Sequence, residues 1–174
     1  MLSLLGLGTF TLLACASKTT DVAPCDQVDW YEIGRRDGAQ GAPSERWAEQ
    51  QKKCSTNISA DWETMYANGR NAGLVEYCEP KNAYELGRTK LPYFYVCPST
   101  VEPQFLKAYR KGQASHDLEL ANQKLDAQIS DLNQKLIQST STSEQEELKQ
   151  QLNELKTRRA QNERQLRSSS SRNE

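Results

Sequence analysis

The chain has 174 residues, and 22 Lys and Arg against 23 Asp and Glu leave a formal net charge of -1. So balanced a charge gives no electrostatic footprint for nucleic acid, which is not expected as a partner. A hydrophobic content of 36% and a mean hydropathy of -0.82 are low for one compact domain, but the apolar residues are unevenly spread. Every Trp and Tyr lies between Trp30 and Tyr109, no Gly follows Gly112 and no Pro follows Pro103. The chain therefore divides into an aromatic, glycine-containing domain and a polar tail with periodic leucines.

Residues 1–13 are apolar apart from a few hydroxyls, and the run ends in Leu12-Leu13-Ala14-Cys15. About 13 residues are too few to cross a bilayer as a helix but suit the core of an export signal. No Lys or Arg precedes the run. Leu-Leu-Ala-Cys resembles the lipobox of bacterial lipoproteins, in which the signal is cut before the cysteine and the cysteine is acylated. The resemblance implies a signal peptide over residues 1–14, lipidation and membrane anchoring at Cys15, and a linker over 15–24. Ala16, not Asp, follows the anchor. By the same resemblance the protein is expected at the outer membrane, facing the periplasm.

With Cys15 set aside, Cys25, Cys54, Cys78 and Cys97 remain. Four cysteines in a small exported domain read as two disulfides, with three possible connectivities. No C-x-x-C and no His pair suggests zinc, and no cofactor is expected. Asp29 caps a first helix over residues 30–40, with Glu32 as its capping-box partner and Gly41 as its stop. Pro43 fits the first turn of a second helix over 44–53. Asp61 is expected to cap a third over 62–77, and Pro80 to open a fourth over 80–89. Residues 91–96, interrupted by Pro92, read as an extended turn. A long helix starts near Pro103. Antiparallel first and second helices would bring Cys25 to Cys54, and a short loop would bring Cys97 to Cys78.

On the third helix Trp62, Tyr66, Gly69, Gly73 and Tyr77 share one face. Each glycine inside a helix costs about 1 kcal/mol relative to Ala. Two on a buried face imply close approach of another backbone. The pattern echoes: Tyr31, Gly34 and Arg35, Tyr66, Gly69 and Arg70, and Tyr84, Gly87 and Arg88 all spell Y-x-x-G-R. Phe105, Tyr109, Gly112 and His116 repeat the spacing of Trp62, Tyr66, Gly69 and Gly73.

In the tail, Leu118, Asn122, Leu125, Ile129, Leu132 and Leu136 form one seam. Ser143-Glu144-Gln145-Glu146 reads as a capping box opening a second helix, with the seam Leu148, Leu152, Leu155, Arg159, Asn162 and Leu166. Folded back at Thr142, the seams align, with Asn122 facing Asn162 and Leu125 facing Arg159. The expected fold is thus mainly α: a disulfide-linked helical domain over 25–113, a coiled-coil hairpin over 114–167 and an unstructured end over 168–174. A parallel oligomeric coil through residues 139–142 is the alternative for the tail.

Asp29-Trp30, Gly34, Asp37-Gly38, Gly41, Tyr66, Gly69, Gly73-Leu74, Tyr77-Cys78, Asn82, Tyr84, Gly87, Tyr93, Val96-Cys97-Pro98, Phe105, Tyr109 and Gly112 follow one another in an order that is informative as a set. Over residues 25–112 the chain resembles an uncharacterised family of small bacterial lipoproteins, domain of unknown function 2799. The resemblance implies a periplasmic, cysteine-bearing domain. It brings no reaction, substrate or catalytic residue with it, and it stops short of the tail.

Candidate chemistry is sparse. His116 stands without a motif partner, and Glu32, Asp37, Glu63 and Glu76 offer carboxylates whose spacing selects no catalytic pair. Arg35, Arg70 and Arg88, each after a repeat glycine, together with Trp30 form a possible ligand or packing face. They make a basic ridge for an anionic glycan or lipid, or they stack on the repeat tyrosines. The expected function is a non-catalytic outer-membrane lipoprotein that serves as an envelope structural or protein-interaction module. Its partners would be the membrane through Cys15 and an envelope protein through the hairpin. A periplasmic protein that binds cell-wall glycan is the alternative.

Overall fold

The computed structural model describes residues 25–54 and 59–170. A 3-10 turn, Cys25–Gln27, precedes six helices: α1 Trp30–Ala39, α2 Arg46–Gln51, α3 Ala60–Tyr77, α4 Pro80–Arg88, α5 Glu102–Gln138 and α6 Thr142–Ser170. No strand occurs among the described residues, so the mainly α expectation holds. No described helix is long and apolar enough to cross a membrane.

The helix starts follow local chemistry. The Asp29 side chain accepts the Glu32 amide at 2.9 Å, as expected, but the Glu32 carboxylate turns to Arg35 and leaves the capping box half closed. Ser59, not Asp61, caps α3, because its hydroxyl accepts the Asp61 amide and starts the helix earlier. Asp61 then sits in the first turn, where a negative charge meets the positive helix end. α2 is shorter than expected, since turns occupy its flanks: the Arg46 amide bonds the Pro43 carbonyl, and the Lys53 amide bonds that of Gln50.

The domain is built from two pairs of parallel helices. In the first, a Cβ added at Gly34 would lie 2.1 Å from the Tyr66 carbonyl oxygen, and one at Gly38 would lie 2.1 Å from that of Arg70. Reciprocally, a Cβ added at Gly69 would lie 1.9 Å from the Tyr31 carbonyl oxygen, and one at Gly73 would lie 2.0 Å from that of Arg35. Both helices advance together along the contact, so α1 and α3 run parallel, backbone against backbone. The second pair repeats the arrangement. A Cβ added at Gly87 would lie 2.0 Å from the Tyr109 carbonyl oxygen, and one at Gly112 would lie 2.0 Å from that of Tyr84. The glycines thus replace side chains at the crossing and let carbonyls approach Cα positions, as small-residue interfaces do.

The repeat extends beyond the glycines. Cys25 precedes Tyr31 by six residues, as Cys78 precedes Tyr84; Cys54 precedes Tyr66 by twelve, as Cys97 precedes Tyr109. Cys25 bonds Cys54 and Cys78 bonds Cys97. Each disulfide therefore staples the two parallel helices of one pair ahead of their N-terminal ends. The pairing is the one expected, but its reason differs, because antiparallel packing of α1 and α2 is not what joins Cys25 to Cys54.

Two aromatic clusters fill the pairs. In the first half Trp30 stacks on Trp62 at 5.9 Å and meets Trp47 edge-on at 5.3 Å, while Trp47 lies 4.9 Å from Tyr66. In the second, Phe105 is fully buried among Tyr77, Tyr93 and Tyr109. Tyr77 at the end of α3 joins this second cluster, together with Leu74, Ala83 and Tyr84. Its ring also covers Gly41, where φ is +64° and an added Cβ would fall 2.0 Å from the ring.

The tail is the expected antiparallel hairpin, and the oligomeric coil is not needed. α5 ends at Gln138, residues 139–141 turn, and α6 returns along it. Leu125, Leu148 and Leu152 are buried in the seam, and Asn162 donates to the Asn122 side-chain oxygen at 2.9 Å. Arg159 reaches over to Asp126 and Glu163. The start of α6 lies two residues earlier than the Ser143 capping box, since Ser141 accepts the Glu144 amide on its hydroxyl and the Gln145 amide on its carbonyl. Residues 168–170, expected to be unstructured, continue α6; the Ser168 and Ser169 hydroxyls donate to the Gln165 carbonyl.

Candidate functional site

The arginines and the tryptophan singled out in the sequence do not form one ligand face. Trp30 is 3% exposed, and its indole N–H donates to the Cys25 carbonyl at 3.1 Å, so it belongs to the core. Arg35 holds Glu32 through two bonds of 2.8 Å and approaches Glu76 at 3.9 Å. Arg88 holds Glu119 at 2.8 Å and approaches Glu85 at 3.8 Å. These two sets are equivalent under the internal repeat. In each, an arginine after the glycine pairs with a glutamate three residues earlier on its own helix and with one on the parallel partner. Arg70 instead donates to the Ala42 carbonyl at 2.9 Å. The positive charges of Arg35 and Arg88 are thus met by carboxylates rather than by tyrosine rings, and no basic ridge results.

The candidate carboxylates are also engaged in structure. The side-chain hydrogen bond to Arg35 holds the Glu32 carboxyl below its ordinary range. Asp37 is buried on α1 and accepts the Tyr66 hydroxyl at 2.8 Å. Burial first, and then that bond to Asp37, push the Tyr66 phenol well above its usual value. Glu76 belongs to the Arg35 group, and Glu63 is exposed in the first turn of α3. His116 occupies the position that Gly73 holds in the first pair. There α1 continues past Arg35, whereas α4 stops at Arg88, and the His116 ring nitrogen Nδ1 bonds the freed Arg88 carbonyl at 2.9 Å. The histidine completes a helix end.

Two exposed features stand out among the described residues. One is the connection between α4 and α5, which exposes Leu91, Phe94 and Tyr95. Tyr93 from the same stretch turns inward, bonds the Glu102 carboxylate at 2.9 Å and receives the Cys97 amide at 3.1 Å. Tyr95 packs on it with rings tilted and centroids 5.0 Å apart, its φ at +55°, a costly conformation for a bulky side chain. Residues 91–96 form the expected extended connection, and their run of three aromatics builds this ledge. Beside it Leu74, Val75, Pro80, Pro98 and Val101 line a mostly apolar groove of about 600 Å³.

The other exposed feature is the arm. α5 passes without a break from the glycine contact at Gly112 to Gln138, and the part beyond His116 is about 33 Å long at 1.5 Å per residue. Its flanks are polar, with ion pairs such as Lys135 to Asp131 at 2.8 Å. At its end Ile137 is 84% exposed. Cys15, the expected lipidation site, lies outside the described residues.

Residues 29–114, which carry both glycine-packed pairs, match the model of a family described as a protein of unknown function, DUF2799. The resemblance read from the cysteines, aromatics and glycines is thereby supported over that span, and most of the arm lies beyond it. No curated protein matches the chain, and no solved structure does.

Proposed function

We propose that the chain is a non-catalytic lipoprotein of the outer membrane, anchored at Cys15 and facing the periplasm, whose arm meets a protein partner in the envelope. The observation that carries this reading is the continuity of α5. One helix is clamped into the disulfide-linked body at its start and forms half of the arm at its end. The body therefore sets the direction of the arm, and no flexible linker separates them. A rigid polar arm of about 33 Å has little use in holding a small ligand, but it reaches away from an anchored body. A lone exposed isoleucine needs no explanation elsewhere on a surface. At the end of such an arm, Ile137 is the apolar side chain that a partner would meet first. Engagement of Glu32, Asp37, Glu76 and His116 in helix contacts supports the non-catalytic part of the reading.

Photo-crosslinking in cells from Gln134 and Gln150, both exposed on the arm, tests it. A discrete protein adduct that disappears with Ile137→Asp is expected. Absence of any adduct from the arm, alongside adducts from probes on the body, would refute the role assigned to the arm. Separately, Cys15→Ser should abolish fatty-acid labelling and release the protein into the soluble periplasmic fraction; retained label would refute the anchor.

A further inference from the structure

Ser44, Trp47, Glu63, Tyr66, Arg70 and Asn71 line a pocket of about 220 Å³ between the turn before α2 and one face of α3. Two of these residues carry buried N–H donors that meet no acceptor, Nε1 of Trp47 and Nε of Arg70. Their neighbours are satisfied. The Trp30 indole has the Cys25 carbonyl, the Tyr66 hydroxyl has Asp37, and Nη2 of Arg70 has the Ala42 carbonyl. Buried donors left unpaired are uncommon in folded proteins, and each needs an explanation. Two beside one pocket share a simple one: an acceptor oxygen that enters it.

We propose that this pocket binds the acetamido group of an N-acetylated amino sugar. The unpaired groups are both donors, so the ligand must present an acceptor. Arg70 and Glu63 offset each other among the lining residues, which favours a neutral carbonyl over a carboxylate or phosphate. The Trp47 and Tyr66 rings supply an apolar wall for the acetyl methyl and the C–H face of a sugar ring. Ser44, Glu63 and Asn71 are exposed at the rim, where their side chains suit ring hydroxyls. Both orphan nitrogens lie out of contact with solvent, so binding requires a small outward turn of the Trp47 or Arg70 side chain. The inference is independent of what the arm contacts.

The test is a titration of the intact, oxidised, 15N-labelled chain followed through its indole N–H signals. With N-acetylglucosamine the Trp47 indole signal should move and saturate, with a dissociation constant on the order of 1 mM, as suits a single sugar. The Trp30 indole, already bonded to Cys25, should stay in place. Glucose, which lacks the acetamido group, should bind at least about tenfold more weakly, a difference of about 1.4 kcal/mol. Asn71→Ala, an exposed change that leaves the fold alone, should weaken binding severalfold. Trp47→Phe, which keeps a ring but removes the donor and its signal, should abolish binding as followed through the Arg70 Nε–H signal. An unmoved Trp47 signal at saturating sugar would mean that water alone fills the pocket and would overturn the proposal. An equal response to glucose, or a response to acetate alone, would overturn it as well.

Discussion

Gly69→Ala separates close backbone packing from local helix preference. Alanine is the better helix former, by about 1 kcal/mol, so local preference alone makes the variant more stable. The fold gives the opposite sign. The new Cβ would lie 1.9 Å from the Tyr31 carbonyl oxygen and 2.7 Å from its carbon. Both are backbone atoms of α1, and no side-chain rotation relieves the contact. Going from 1.9 Å to an ordinary 3.4 Å requires the helices to part by about 1.5 Å at that point. Overpacking typically costs about 1–3 kcal/mol, and here the retreat also loosens the reciprocal contacts at Gly34, Gly38 and Gly73. With the cost at the upper end of that range, because backbone meets backbone, subtracting the propensity gain leaves an expected net loss of about 2 kcal/mol. In a domain of roughly 90 residues that lowers Tm by about 8–16 °C. Thermal unfolding followed by circular dichroism, with both disulfides intact, measures it. Asn68→Ala, one residue earlier and exposed, is the control and should stay within about 0.5 kcal/mol of the parent. A Gly69→Ala variant that melts at or above the parent temperature would show that the glycines do not serve close approach.

Alkaline pH should weaken the fold through three tyrosines. Burial raises Tyr66 and Tyr77 above their ordinary 10.0, and burial raises Tyr93 to about 12. A phenol whose folded pKa is raised leaves stability intact below pH 10 and removes it progressively above, as the unfolded chain ionises first. Urea midpoints should therefore be flat to about pH 10 and fall beyond it. Tyr66→Phe should flatten that fall at a cost of about 1–2 kcal/mol near neutral pH, from the lost bond to Asp37; an unchanged alkaline slope would contradict the assignment. Replacing Cys25 and Cys54 together by Ser, or Cys78 and Cys97 together, should each cost about 3 kcal/mol, since the loops of 29 and 19 residues differ little in closure entropy. Phe105→Ala should cost about 3–5 kcal/mol, and a loss below about 1 kcal/mol by denaturant titration would argue against a shared aromatic core.

Caps, aromatic spacing and the leucine seam made most helices legible, because each is a local signal. The hairpin register was legible for the same reason: one asparagine in each seam must avoid leucine, and Asn122 finds Asn162. Cap choice failed by two residues at Ser59 and at Ser141, where the sequence offers two good capping groups in a row and only the backbone decides. The Y-x-x-G-R echo showed which helix faces approach closely. It did not show direction, because the same spacing serves parallel and antiparallel crossings. The disulfides carry that information once the cysteine offsets are compared, but the insertion of α2 obscures the comparison. The arginine partners were hidden for a different reason. Glu76 and Glu119 come from the parallel partner helix, and no local pattern links them to Arg35 or Arg88. The Trp47 and Arg70 donors were likewise invisible, since an unpaired group is defined by what surrounds it.

The two helix pairs share one physical unit, and they differ in two places. The first disulfide encloses a separation of 29 residues and the second 19. The extra length in the first half accommodates α2, which brings Trp47 onto Tyr66 and creates the pocket with the unpaired donors. In the second half the departure lies after the glycine contact. α3 ends at Tyr77, eight residues past the glycine at position 69, whereas α5 runs on for 26 residues past Gly112 and becomes the arm. His116 marks the junction. Where Gly73 lets α1 continue alongside, His116 closes the end of α4 and leaves α5 without a body to pack on. The next residues of α5 then carry Glu119 to Arg88 and Asp117 to Lys90, a last pair of ionic ties before the helix leaves the domain. Glycine contacts and disulfides are common to both halves and hold the body together along with its aromatic clusters. The pocket and the arm belong to one half each and add nothing that the repeated unit requires, so it is at these two departures that binding to something outside the chain is to be sought.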